Sequence, residues 1–296
     1  MIILPEMERD YFESKQLIMA STILFPTDFS EAANKALRFV LPFAEKLEAR
    51  LILMNAFTIP TPVAEAPFYS WEEDLRRQEA LVRAELEILQ AAIQADHPRL
   101  KTELIASVGF PVSTILSIAD EYEVDWIVMG TKGATGLKKV FLGSVASQVI
   151  GRSAKPVLAI PDTAKAPEIH RIVFATNYES RELEPLRRVC RLAERLDAEL
   201  LVAHVFTGNG QPPVEAWEAF EKMVVSEISY PKLSFKFLPH HDLIKGLEDL
   251  LQYTRAEMLA MCPHKRALLD RMLRTSNTKN MASQTQTPLL SMPEDR

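Results

Sequence analysis

Cysteine is nearly absent from this chain, with only Cys190 and Cys262 among 296 residues. Two thiols cannot build a disulfide framework, and neither sits in CxxC metal spacing, so a reducing cytoplasm is the expected setting. An excess of basic charge is also missing. The 34 Lys+Arg face 40 Asp+Glu, a formal charge of -6, which is the wrong sign for displacing counterions from nucleic acid. No apolar run approaches the roughly 18 residues of a membrane span, so neither nucleic acid nor a membrane is expected as a partner. Glu6, Glu8, Asp10 and Glu13 interrupt the first 20 residues, which do not read as a secretory signal. That segment is taken as an N-terminal extension, with Met19 a candidate initiation site just before the first strand. What remains is a chain 47% hydrophobic, long enough for two domains that each bury a core.

A duplication organises the chain. Ile23 to Phe57 aligns without a gap on Ile172 to Phe206, at an offset of 149. A second pair of segments, ending at Pro161 and Pro293, aligns at an offset of 132. Two related domains are therefore expected, over residues 21–162 and 168–294. In the first copy, Thr22 to Phe25, Leu51 to Ala56, Thr102 to Ser107, Trp126 to Met129 and Val157 to Ile160 read as strands. Their nearly continuous hydrophobicity suits parallel strands covered on both faces. Between the first two, Ser30 can cap a helix whose apolar face is Ala33, Leu37, Val40, Leu41, Ala44 and Leu47. Trp71 to Gln94 and Val112 to Glu121 supply further helices. In the second copy the strands are Ile172 to Ala175, Leu200 to Val205, Ser234 to Leu238, Met258 to Met261 and Leu289 to Ser291. Strands alternating with helices imply right-handed crossovers and an open, doubly wound α/β sheet in each copy.

Ligands of such sheets bind outside the carboxyl ends of the strands. The fourth strand is followed there by GTKGATGLKKVFLGS, in which Gly130, Gly133, Gly143 and Ser144 form G-x2-G-x9-G-S and Gly136 adds freedom. Glycines let backbone amides approach an anion, and a helix starting near Gly143 and Ser144 would aim its free N–H groups and positive dipole end at a phosphate. Pro26, Thr27 and Asp28 place a carboxylate at the same edge. The glycine pattern is not a Walker loop, and no G-x-G-x-x-G fingerprint follows the first strand.

F-P-T-D-F-S after the first strand, combined with G-x2-G-x9-G-S after the fourth, resembles the universal stress protein family, and both copies share in the likeness. The resemblance implies a Rossmann-like five-stranded α/β fold of order 3-2-1-4-5 in each of two tandem domains. It also implies ATP as ligand, with Mg2+ or Mn2+. Carried onto this chain, it assigns the adenine and ribose end to Pro26, Thr27, Asp28 and Ala56, with Met129 nearby. The phosphates fall to Gly130, Gly133, Gly143, Ser144 and Val145. Ala146 stands where the family often has a hydroxyl, which removes one phosphate contact.

The second copy has lost this pattern. Gly130, Gly133, Gly136 and Gly143 align on Cys262, Lys265, Leu268 and Thr275, and Pro26 and Asp28 on Ala175 and Asn177. The fold is expected to persist there without a nucleotide site, as a degenerate partner packed on the first domain through the last strands. A homodimer stays open. His204, His240, His241, Asp242, Cys262 and His264 could suggest a metal. However, the inferred order separates the strands ending at His240 and Cys262 by roughly 14 Å at about 4.8 Å per spacing, beyond the reach of one tetrahedral ion at about 2.0–2.3 Å. No metal site is expected, although His204 and the His240–His241 pair can line a small pocket.

Lys265, Arg266, Arg271, Arg274 and Lys279 read as a solvated helix face, and Met258, Met261, Met272 and Met281 as core. Phe68, Tyr69 and Trp71 offer a lid, a partner surface or inter-domain packing. The leading functional expectation is an ATP-binding stress-response protein with an unidentified protein partner and no catalytic residues assigned. A slow ATPase or phosphotransferase, and a ligand-free scaffold, are the competing classes.

Overall fold

Ile23, Leu24 and Phe25 are wholly buried, as a strand with neighbours on both sides and helices on both faces must be. The computed structural model describes residues 21–59, 71–131, 143–164, 168–208, 210, 213–262 and 287–293. The first α/β unit runs β1 (Thr22–Pro26), α1 (Glu31–Lys46), β2 (Arg50–Phe57), α2 (Trp71–Asp96), β3 (Thr102–Val108), α3 (Pro111–Glu121), β4 (Trp126–Gly130), α4 (Ser144–Arg152) and β5 (Val157–Ile160). The second begins with β6 (Arg171–Ala175) and a 3-10 turn (Ser180–Glu182) that runs into α5 (Leu183–Leu196). It continues through β7 (Glu199–Phe206), α6 (Val214–Glu227), β8 (Leu233–Pro239), α7 (Leu243–Thr254), β9 (Met258–Met261) and β10 (Leu289–Ser291). Each run expected as a strand is present, within one residue at either end.

Both units have the strand order 3-2-1-4-5, and they join into one ten-stranded sheet, β3-β2-β1-β4-β5-β10-β9-β6-β7-β8. Pairing within each unit is parallel. The join is antiparallel, with Leu290 opposite Leu158. One continuous core packs α1, α2, α5 and α6 on one face of the sheet, and a second packs α3, α4 and α7 on the other. Among the described residues no helix is long and apolar enough to cross a membrane.

Local chemistry sets the helix ends that matter for the site. Ser30 caps α1 by accepting a hydrogen bond from the Ala33 N–H at 3.1 Å, which satisfies an amide the helix itself leaves unpaired. The expected apolar face of α1, Ala33 through Leu47, is buried throughout. At its other end Lys46 Nζ donates to the Leu196 carbonyl at 2.8 Å, while the Arg195 guanidinium donates to the Leu47 carbonyl. Residues 195 and 196 are the counterparts of 46 and 47 at the repeat offset. Each copy therefore caps the C-terminal end of the other copy's helix, the self-complementary pattern of a twofold interface, here made within one chain. A cation at a helix C-terminus also complements the macrodipole.

Trp71 is more than half exposed at the start of α2, while Phe68 and Tyr69 lie outside the described residues. Met258 and Met261 are buried as expected; Met272, Met281 and the basic stretch from Lys265 to Lys279 lie outside the described residues.

Leu290 is fully buried at the join. Leu290→Ala is expected to cost about 2–5 kcal/mol through lost burial and the cavity left behind, measured as a lower urea midpoint for the whole chain.

Candidate functional site

In an open α/β sheet the crevice lies where successive crossovers leave a strand in opposite directions. Here that point is between β1, whose chain leads to β2, and β4 on its other side. A cavity of about 210 Å³ opens there. It is lined by Pro26, Thr27 and Asp28 after β1, Asn55 and Ala56 in β2, and Met129, Gly130 and Thr131 at the end of β4. Gly143, Ser144, Val145 and Ala146 at the start of α4 complete one wall, and Ala33, Pro111 and Ile115 contribute helix surface. Every residue that the sequence assigned to the site lines this one cavity except Gly133, which lies outside the described residues, as does Gly136.

The loop after β1 is held by its own polar groups. The Thr27 N–H donates to the Met54 carbonyl at 2.8 Å, and the Asn55 side-chain amide donates to the Thr27 carbonyl at 2.8 Å. Thr27 Oγ1 accepts from the Phe29 N–H at 3.0 Å, and Asp28 Oδ1 accepts from the Ser30 N–H at 3.1 Å. These tight side-chain turns force Phe29 into the left-handed region at φ 60, an uncommon conformation for a bulky residue.

Across the cavity α4 starts without a side-chain cap. Gly143 is its N-cap at φ -65 and ψ 160, and its carbonyl accepts from the Ser147 N–H at 3.0 Å. The N–H groups of Ser144, Val145 and Ala146 therefore have no acceptor within the helix, and they carry the positive end of its dipole. Beside them Thr131 is only 2% exposed. Its N–H donates to the Ile160 carbonyl and its own carbonyl accepts from the Gly143 N–H, but among the described residues its Oγ1 has no hydrogen-bond partner. A buried hydroxyl left unpaired is costly, so this orphan marks a place that a ligand atom would satisfy.

Asp28 is the only ionisable side chain among the described residues lining the cavity. Among the described residues an anion here would be held by amides, hydroxyls and a helix dipole, which is the chemistry of a phosphate cradle.

Sequence reasoning missed Asn55, Thr131 and Ala33 as wall residues. Asn55 was a polar interruption in an apolar strand, and Thr131 lay inside the glycine motif unweighted.

The equivalent edge of the second unit keeps the loop. Tyr178, the counterpart of Phe29, is also left-handed at φ 52, and its N–H donates to Thr176 Oγ1 at 2.8 Å. His204 replaces Asn55, with Nδ1 2.7 Å from the Thr176 carbonyl; a carbonyl can only accept, so Nδ1 carries the proton. The ring also packs against Tyr178, Trp217 and Phe237. The histidine that had suggested a pocket lining thus pins the loop and fills an aromatic cluster. His240 and His241 stack on each other, and among the described residues no group of three His, Cys, Asp or Glu could hold a metal.

Glu182, the counterpart of Ala33, is 1% exposed. Its Oε2 accepts from Thr176 Oγ1 at 2.6 Å, from the Asn177 N–H at 2.9 Å and from the Glu179 N–H at 3.3 Å. Burial raises its pKa, against the lowering effect of those hydrogen bonds. Cys262, at the place of Gly130, is buried, and its thiol pKa is raised by that burial and by nearby Glu182. Cys190 is pushed up to about 11 by burial. Neither has the low pKa of a reactive thiol.

A doubly wound α/β protein with an amide-lined crevice at its switch point is the class these features define. The family model described as the universal stress protein family matches residues 19–161. A universal stress protein of Methanocaldococcus jannaschii is 32% identical over 156 residues, covering 48% of this chain and 96% of that protein. One from Thermus aquaticus is 34% identical over 143 residues, covering 48% of this chain and 99% of the relative. The chain belongs to the universal stress protein family. In fold the likeness extends further. The crystal structure of a universal stress protein from Archaeoglobus fulgidus aligns over 94% of this chain and 97% of its own at a TM-score of 0.66 and 18% identity, so its span takes in both units.

Two measurements follow from the buried polar groups. Thr131→Val removes the orphan hydroxyl, and the ligand-free protein is expected to gain about 1–3 kcal/mol in urea denaturation. For Glu182, folding raises the pKa above its ordinary value of 4.5, so the native state holds the proton more tightly. The stability contributed by this group is fullest below pH 4.5 and is lost as pH rises through the raised value. Plotted against pH, the wild-type midpoint minus that of Glu182→Gln should fall across that window.

Proposed function

We propose that this chain is an ATP-binding stress-response protein of the cytoplasm, in which residues 21–162 bind the nucleotide and residues 168–294 are a degenerate structural or regulatory partner. The observation that carries the reading is the buried, unpaired Thr131 hydroxyl beside the uncapped start of α4. A phosphate oxygen at this place answers the orphan hydroxyl and the free amides together. Pro26, Thr27, Asp28, Ala56 and Met129 form the opposite part of the crevice, where the base and ribose fit. Mg2+ or Mn2+ enters with the ATP, held chiefly by its phosphates and neutralising their charge. Gly133 belongs to the same phosphate loop. Binding at this edge changes the surface offered to a protein partner, so ATP acts by shifting a population rather than by being consumed.

Calorimetric titration of ATP with Mg2+ tests the reading, alongside the Gly143→Asp variant. Aspartate is a favoured N-cap residue, so the variant should melt no lower than wild type. Its carboxylate would take the α4 amides that the phosphate needs. Saturable binding near one ATP per chain, weakened at least about tenfold in the variant, is the expected result. A folded wild-type protein that takes up no ATP sinks the proposal.

A further inference from the structure

The two copies share the loop after their first strand, and among the positions where they differ is one on the helix that follows it. Ala33 lies on the wall of the open cavity. Its counterpart Glu182 stands in the first turn before α5, with a capping box that pairs the Glu179 and Glu182 side chains with each other's backbone N–H groups. A capping box alone accounts for the contact with Glu179. It does not account for the hydroxyl of Thr176 and the N–H of Asn177, which belong to the loop after β6 and converge on the same oxygen. Nor does it account for the almost complete burial of a carboxyl group, which is rare unless its partners are supplied.

The geometry points to Glu182 as a tethered stand-in for a ligand. Its carboxyl group satisfies the donors of the loop after β6, so this copy supplies a ligand-like acceptor from within the chain. At residue 33 a methyl group lines an open cavity, whereas at residue 182 a carboxyl group meets the donors of the corresponding loop from within the chain. The second cleft is therefore an acceptor-oxygen subsite of carboxylate size, already taken by the chain itself.

Two reciprocal variants test this. Glu182→Ala opens the subsite, and a free carboxylate should restore what the side chain supplied. Sodium formate, against sodium chloride at matched ionic strength, is expected to raise the melting temperature of the variant by about 2–4 °C while leaving wild type unmoved. Ala33→Glu closes the first cleft. It is expected to weaken ATP binding at least about tenfold while melting at or above the wild-type temperature, because Thr27 and Asp28 stand where Thr176 and Asn177 donate to Glu182.

A folded Glu182→Ala protein with no formate-specific rise overturns the assignment. So does an Ala33→Glu protein that binds ATP as wild type does or that melts lower. Should Glu182→Ala fail to fold, Ala33→Glu decides alone. Only the ATP arm rests on the proposed function. If wild type binds no ATP, that function falls, while formate and the Ala33→Glu melting temperature still judge this inference.

Discussion

Everything in this molecule hangs on an antiparallel pairing three residues long. β10 lies against β5 with Leu290 opposite Leu158, and it turns two five-stranded sheets, each with an unpaired inner edge, into one sheet of ten strands. Unpaired edges are templates for aggregation, and here each copy covers the other's. The pairing also sets the helices of the two copies side by side on one face, where Lys46 and Arg195 exchange caps with the opposite carbonyls. Sheet and helices thus obey the same approximate twofold axis, and each of the two cores runs through both units.

On that symmetric frame the two clefts differ for local reasons. The strained loop residue recurs as Phe29 and Tyr178, and the strand side chain that anchors the loop recurs as Asn55 and His204. The open cleft keeps an uncapped helix, a glycine-bearing strand end and an orphan hydroxyl, all of which leave polar groups wanting partners. The other cleft has a buried thiol in place of Gly130 and a buried carboxyl group in place of the Ala33 methyl. In the second, a side chain satisfies the polar groups of the loop.

Most of the architecture could be read from the chain because the two units keep the same spacing. The β1 and β2 boundaries reappear at β6 and β7 at the same offset, while the expectation of strands covered on both faces fails at the sheet edges, where β3 and β8 are only part-buried. The glycine motif was legible because glycines are needed where backbone must face a ligand. The contributions of Asn55, Ala33 and Thr131 were not, since each reads as an ordinary member of its element: a strand residue, a helix-face residue, a loop residue. Their roles depend on which neighbours the fold brings within hydrogen-bond reach. Glu182 was hidden for the same reason, as one acid among several in ESRELE, and only its burial separates it from Glu179 and Glu184.

The short connection between β5 and β6, from Ile160 to Arg171, has a further effect. Two separate chains joined edge to edge come apart when dilute, and their pairing follows the abundance of the protein. Here the partner edge is on the same molecule, at an effective concentration fixed by the tether rather than by expression. The paired state is therefore as complete at a handful of copies per cell as at thousands.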